Sequence, residues 1–209
     1  MTNALPRRRL GAILLGSILT CGPAWRALAN ARPARDAGTF VAQLAQDAID
    51  KLSTPNLGED ERVQRLRGLF ADGFDIPLIA RFVLGRYWRM ATEPERKEYV
   101  DLFRELVIVT YARRFHEFTS ARLRVLSVSR PNEDNDVIVA VELAVPGKPQ
   151  VRMDTRVRQN PGHFKIIDIS IEGISMALTQ RDEFASVIQR GGGRVEALLV
   201  SLRERIGER

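Results

Sequence analysis

Cysteine is almost absent from this 209-residue sequence, with Cys21 alone. No disulfide can form within the chain and no thiolate cluster can hold a metal, so stability must come from a packed core. Histidine is nearly as scarce. His116 and His163 are the only two, neither is followed by a His or Glu at metal-ligand spacing, and isolated histidines are mostly structural or solvent-exposed. A Gly-x-Ser-x-Gly elbow, a P-loop and a dinucleotide glycine pattern are all missing. Gly191-Gly192-Gly193 has no strand before it and no Lys-Ser/Thr after it, and reads as a break between helices. Excess charge is also missing from most of the chain. The formal +6 owes much to the first 29 residues, which contain four arginines and no acid; removing four of the 32 basic residues leaves 28 against 26 acidic. A nearly neutral remainder lacks the electrostatic basis for binding nucleic acid.

The N-terminal segment has the plan of an export signal. Arg7, Arg8 and Arg9 precede the apolar stretch Leu10 to Leu19, and the small-residue pattern Ala27-Leu28-Ala29 follows. The apolar stretch is too short to span a bilayer well, which argues against an uncleaved anchor. Cleavage is expected after Ala29, giving a signal peptide at 1–29 and one domain at 30–209. The adjacent arginines also permit twin-arginine export, although no full motif surrounds them and the general secretory route is favoured. Thr20 before Cys21 is a poor fit for a lipidated cysteine.

Beyond this segment the apolar period is helical. Phe40, Val41, Leu44, Ala45, Ala48, Ile49 and Leu52 form one stripe over Asp36 to Leu52, which Pro55 ends. A second helix is expected from Glu59 to Ala71, stopped by Gly73, and a third from Ile76 to Leu84 with Asp75 as its cap. Thr92-Glu93-Pro94-Glu95 reads as a capping box opening a long helix to about Phe118. After Ser120 the period becomes two: segments around Leu123, Val137–Val145, Val151–Arg158 and Phe164–Ile171 alternate, with short links between them. Four strands in an antiparallel meander are expected. Thr179 is the expected cap of a helix through Phe184 and Ile188, and a last helix carries Val195, Leu198, Leu202 and Ile206. This is an α+β chain with helices gathered on one face of a curved sheet.

Chemistry is sparse. Asp154 and Asp168 lie within strands, where a carboxylate could serve as a general base with a tyrosine such as Tyr111 stabilising an enolate. Each acid also has a basic residue close by and is more simply an ion pair. The aromatic residues are distributed unevenly: eight of 14 fall between Phe82 and Phe118. Core packing accounts for most such residues. The second strand, however, is apolar on both faces, with Ile138, Ala140 and Ala144 besides its valines, and small residues beside long aliphatic ones can leave room for a ligand. In Arg81-Phe82-Val83-Leu84-Gly85-Arg86-Tyr87-Trp88-Arg89, cationic and aromatic residues interleave. Either the aromatics pack under the long helix while the arginines stay wet, or the segment rims a pocket whose arginines meet an anionic headgroup.

That segment, with Ala91-Thr92 after it, the region of Tyr111, and Ile167-Asp168-Ile169-Ser170-Ile171-Glu172-Gly173-Ile174-Ser175-Met176 leading to Gln180-Arg181-Asp182-Glu183-Phe184, resembles the MlaC family. These are periplasmic phospholipid-binding proteins, also called toluene-tolerance proteins. The resemblance runs from about Phe40 to Ile206. It implies a cystatin-like or NTF2-like cone enclosing an apolar pocket for acyl chains, with no enzymatic activity and no cofactor or metal. It implies shuttling of lipid between an outer-membrane lipoprotein complex and an inner-membrane ABC transporter bearing an MCE-domain subunit. A branch associated with hopanoids is similar at Met176-Ala177-Leu178-Thr179-Gln180-Arg181, so the cargo is a phospholipid or a hopanoid.

On this reading the helical residues Phe82, Tyr87, Trp88, Phe103, Val107 and Tyr111 line or border the pocket. Val139, Val141, Met153, Ile169 and Ile174 do so from the strand side, with Arg86 and Arg89 near the mouth. A monomer is expected of a shuttle, and an NTF2-like enzyme and a periplasmic adaptor with a filled core remain the competing functions.

Overall fold

The computed structural model describes residues 24–54, 56–114 and 120–207, with the backbone alone for 24–35, 113 and 114. Four helices come first: α1 (Ala24–Leu52), α2 (Glu59–Gly73), α3 (Ile76–Leu84) and, after a 3-10 turn over Gly85–Arg89, α4 (Glu93–Arg114). Strands β1 (Arg122–Val128), β2 (Asp136–Ala144), β3 (Val151–Asn160), β4 (His163–Ile171) and β5 (Ile174–Ser175) follow, then α5 (Met176–Arg190) and α6 (Val195–Gly207). Helix α1 starts well before the stripe that marks it in the sequence. Cys21, Phe115, His116 and Phe118 lie outside the described residues. No described helix is long and apolar enough to cross a membrane.

The expected caps at Asp75 and Thr92 are present. Asp75 Oδ1 accepts from Leu78 N at 3.0 Å. Glu95 accepts from Thr92 N at 2.7 Å while Thr92 Oγ1 accepts in return from Glu95 N at 3.4 Å. The bonds that the Glu95 carboxylate accepts from Thr92 N and, at 2.8 Å, from Thr92 Oγ1 hold it below its usual pKa.

The sheet is antiparallel in the order β1-β2-β3-β4-β5. Its count corrects the expected four. Ile171 and Ile174 are paired across a tight turn in which Glu172 and Gly173 both have positive φ, 49° and 82°. The added strand has two residues, too few to display an alternation. The start of α5 is a second correction: its cap is Ser175, whose Oγ accepts from Leu178 N at 3.1 Å, whereas Thr179 only returns a bond to Ser175 O. Asp168 on β4 selects Ser175. It accepts from Ser175 Oγ at 2.6 Å and from Ala177 N at 3.1 Å, so strand and helix end share one carboxylate.

Three apolar clusters build the interior. In the first, α1 lies on one face of the sheet through Ala37 and Val41 against Val137, Val139, Val141, Val157 and Ile166. The second joins α1, α2 and α4 through Leu52, Leu66, Leu69, Ile108 and Ala112. The third is wholly helical, uniting α3 to α6 around Tyr99, Phe103, Phe184 and Leu199. Tyr99 is fully buried, donates to Ala80 O at 3.1 Å, and has its phenol pKa pushed far up by burial. The opposite face of the sheet is polar, and there Asp136 is buried between Arg156 and Arg158 at 2.7 Å from each.

Two substitutions test this assembly. Gly191 joins α5 to α6 where an added Cβ would stand 2.1 Å from the Ala197 Cβ. Gly191→Ala should therefore cost about 1–3 kcal/mol and lower the melting temperature by several degrees in thermal denaturation. Asp168→Ala should cost about 1–2 kcal/mol. In a double-mutant cycle with Ser175→Ala the two losses should fall short of additivity by at least about 0.5 kcal/mol; simple additivity would disprove the shared cap.

Candidate functional site

The α2–α3 junction is fastened to β4 by main-chain and side-chain bonds. Asp75 N donates to Ile166 O at 3.0 Å beside a parallel bridge between Phe74 and Ile166. Lys165 Nζ donates to Ala71 O and Asp72 O at 2.7 and 2.8 Å, satisfying carbonyls that the end of α2 leaves open. Phe74 is thereby held between layers, packed against both the helical cluster and the sheet cluster.

Two more half-buried residues bridge clusters in the same way. Leu44 of α1 touches the sheet cluster and the α1–α2–α4 cluster, and Phe70 touches the latter and the helical cluster. Gly73 lets α1 and α2 approach here, since an added Cβ would stand 2.4 Å from a Leu44 methyl. The Phe70 ring lies 4.7 Å from Phe74 and 6.0 Å from Tyr111 on α4, and Tyr111 is 44% exposed. Half-buried apolar side chains thus run from the meeting point of the three clusters to the surface. Such a strip, between a sheet and a helical layer, is apolar in its own members, the lining that binding of an apolar molecule requires.

The residues singled out from sequence separate into three groups. Tyr87 and Phe103 are buried in the helical cluster, and Trp88 packs on it. Phe103 meets Phe184 edge-on at 6.3 Å, Trp88 lies beneath the guanidinium groups of Arg81 and Arg96, and Tyr87 is bonded by the neighbouring Arg86, which lowers its phenol pKa. Val139 and Val141 are fully buried under α1, with Met153 and Ile169 half-buried beside them on the same face. The half-buried Val107 and the exposed Tyr111, Phe82 and Ile174 border the layers, and Arg86 and Arg89 are exposed. Leu44, Phe70 and Phe74 complete the strip and were not among the candidates. In sequence Leu44 shows only as one member of the α1 stripe, and Phe70 and Phe74 only as apolar residues flanking Gly73.

Of the two acids considered for catalysis, Asp168 is committed elsewhere, whereas Asp154 keeps one buried carboxylate oxygen without a hydrogen-bond partner. Asp168 is engaged with Ile169 N, Ser175 Oγ and Ala177 N. Asp154 is one residue before Thr155, which pairs with Val139 and Ile169 on the inner face, so its carboxylate projects from the outer face, 3.6 Å from Arg152. His163 is exposed at the β3–β4 turn. Among the described residues no group of three or more His, Cys, Asp or Glu could hold a metal ion.

A family model described as MlaC protein matches residues 42–204. The chain is also similar to the solved structure of a phospholipid-binding protein from Ralstonia solanacearum in complex with a phospholipid. The identity is 26% and the TM-score 0.71, with 82% of this chain and 97% of that chain covered. The family model spans α1 to α6, the elements that create the interlayer strip, and the chain belongs to the MlaC family.

Proposed function

We propose that this protein is a periplasmic phospholipid carrier, exported by residues 1–29, which holds acyl chains between its sheet and its helical layer. The similarity to a phospholipid-bound structure over nearly all of that chain carries the reading, and the half-buried strip from Leu44 through Phe74 and Phe70 to Tyr111 supports it. Each methylene taken from water contributes about 0.8 kcal/mol, so two acyl chains need no specific polar contact to be held. The remaining partners follow the family pattern: an outer-membrane lipoprotein complex and an inner-membrane ABC transporter with an MCE-domain subunit exchange lipid with the carrier. On this reading Met153 and Ile169 contribute the sheet side of the site, Phe82, Val107 and Tyr111 the helical side, and Tyr87, Trp88 and Phe103 support the helical wall from behind. Val139 and Val141 form the floor on which α1 rests, and Arg86 and Arg89 stand near the headgroup.

The full chain, purified without denaturant as the cell processes it, should show in native mass spectrometry a mass beginning at Asn30 and a stoichiometric adduct identified by extraction as a phospholipid. A hopanoid adduct would move it to the related branch. An empty protein that also takes no lipid from vesicles would overturn the carrier reading.

Two variants probe the site from opposite walls. Ile169→Trp and Tyr111→Asp should each reduce bound lipid at least about fivefold, since one fills the interlayer space and the other places a charge at its edge. Tyr111 is largely exposed, so its variant should retain the far-ultraviolet dichroism of the parent. Unchanged lipid content in both would refute the assignment.

A further inference from the structure

Four large apolar side chains are exposed along one continuous path. Ile171 and Ile174 are paired residues at the Glu172-Gly173 turn, 36% and 63% exposed. Ser175 leads directly into α5, whose first turn presents Leu178, 41% exposed. One turn on, the Arg181 guanidinium lies 5.2 Å from the ring centre of Phe82, 45% exposed on α3. The close approach is set at Gly85, φ 59°, where an added Cβ would stand 3.3 Å from Arg181 Cδ. The sheet edge, α5 and α3 therefore present one apolar strip with an arginine across it.

On its α3 side the charge beside this strip has one sign, and acids stand at the turn and on α5. From Ile76 to Thr92 there is no acidic residue, while Arg81, Arg86 and Arg89 are all exposed. The nearest acids are already engaged. Glu172 accepts from Arg152 N at 2.7 Å, Asp182 is 3.9 Å from Arg181, and Glu183 pairs with Arg205 at 2.8 Å.

We propose that this strip is a docking surface for an anionic phospholipid bilayer. Ile171 and Ile174 flank an exposed two-residue turn, Glu172-Gly173, with positive φ at both positions. A protruding tip can enter the fluid interfacial region of a bilayer without a matching groove, and the arginines then meet lipid phosphates at headgroup level. The strip needs no lipid in the carrier's own site, so the proposal goes beyond the reading above; Phe82, Arg86 and Arg89 serve in both, while Ile171, Ile174 and Leu178 distinguish the surface, with Ile174 alone shared with the earlier set of candidates.

The test is co-sedimentation of the processed chain with vesicles of phosphatidylcholine alone or with about 30% phosphatidylglycerol, at low and high salt. Binding should be confined largely to the anionic vesicles and fall as salt screens the arginines. Ile174→Asp combined with Leu178→Asp should weaken it at least about tenfold. Arg81→Glu combined with Arg89→Glu, at exposed positions outside the apolar strip, should weaken it comparably with the dichroism spectrum unchanged. Equal sedimentation with both vesicle types, or unaltered binding by both double variants, would overturn the proposal. A folded chain that binds neither vesicle would overturn it too and leave the strip to a protein partner. Vesicle binding and copurified lipid are read separately, so failure of one is distinguishable from failure of the other.

Discussion

The attachment of the α2–α3 junction to β4 is the constraint on which the arrangement of the layers depends. One backbone bond from Asp75 to Ile166 and two from Lys165 to the end of α2 hold a helical corner against a strand. None of these bonds is strong alone, since a typical net contribution is about 1 kcal/mol. Together they place Phe74 between the sheet and the helices and set where α3 begins. The layers are thus joined at one side by polar contacts and elsewhere by apolar side chains.

The distribution of polar groups supports the same view of the molecule. The inner face of the sheet offers Val137, Val139, Val141 and Val157, whereas on the outer face Asp136 lies between Arg156 and Arg158 and Asp154 keeps one buried oxygen without a hydrogen bond. Asp168, one of the two carboxylates that suggest a general base in the sequence, is committed to the start of α5. An acid whose acceptor positions are filled by structural donors is poorly placed to take a proton from a substrate. The apolar interlayer strip and the commitment of Asp168 both favour binding over catalysis at that carboxylate.

Local features were legible without the structure because their partners lie close in sequence. The Asp75 cap and the Thr92–Glu95 box each close within three residues, and β1 to β4 show the period of a pleated strand facing a core. Two features were not. Strand β5 is too short to carry a period, and the choice of Ser175 over Thr179 as a cap depends on Asp168. The eight aromatics from Phe82 to Phe118 formed one group in the sequence, yet Tyr99 and Phe103 pack against α5 while Tyr111 borders α2. Helical periodicity identifies the apolar face of α4 but not which neighbour that face meets.

The sequence alone determined the fold class, the order of nearly all its elements, the family resemblance and the exclusion of an internal disulfide or a thiolate cluster. Each of these rests on residue type or on spacings within a single element. Tertiary structure decided which apolar side chains complete the core and which stay half-buried between layers. Leu44, Phe70 and Phe74 come from α1, α2 and the residue that follows α2, and their common environment arises only when three clusters meet. Nothing in the spacing of any one helix encodes that meeting point, because it depends on how closely Gly73 lets α1 and α2 approach and on where Lys165 fastens the corner to the sheet.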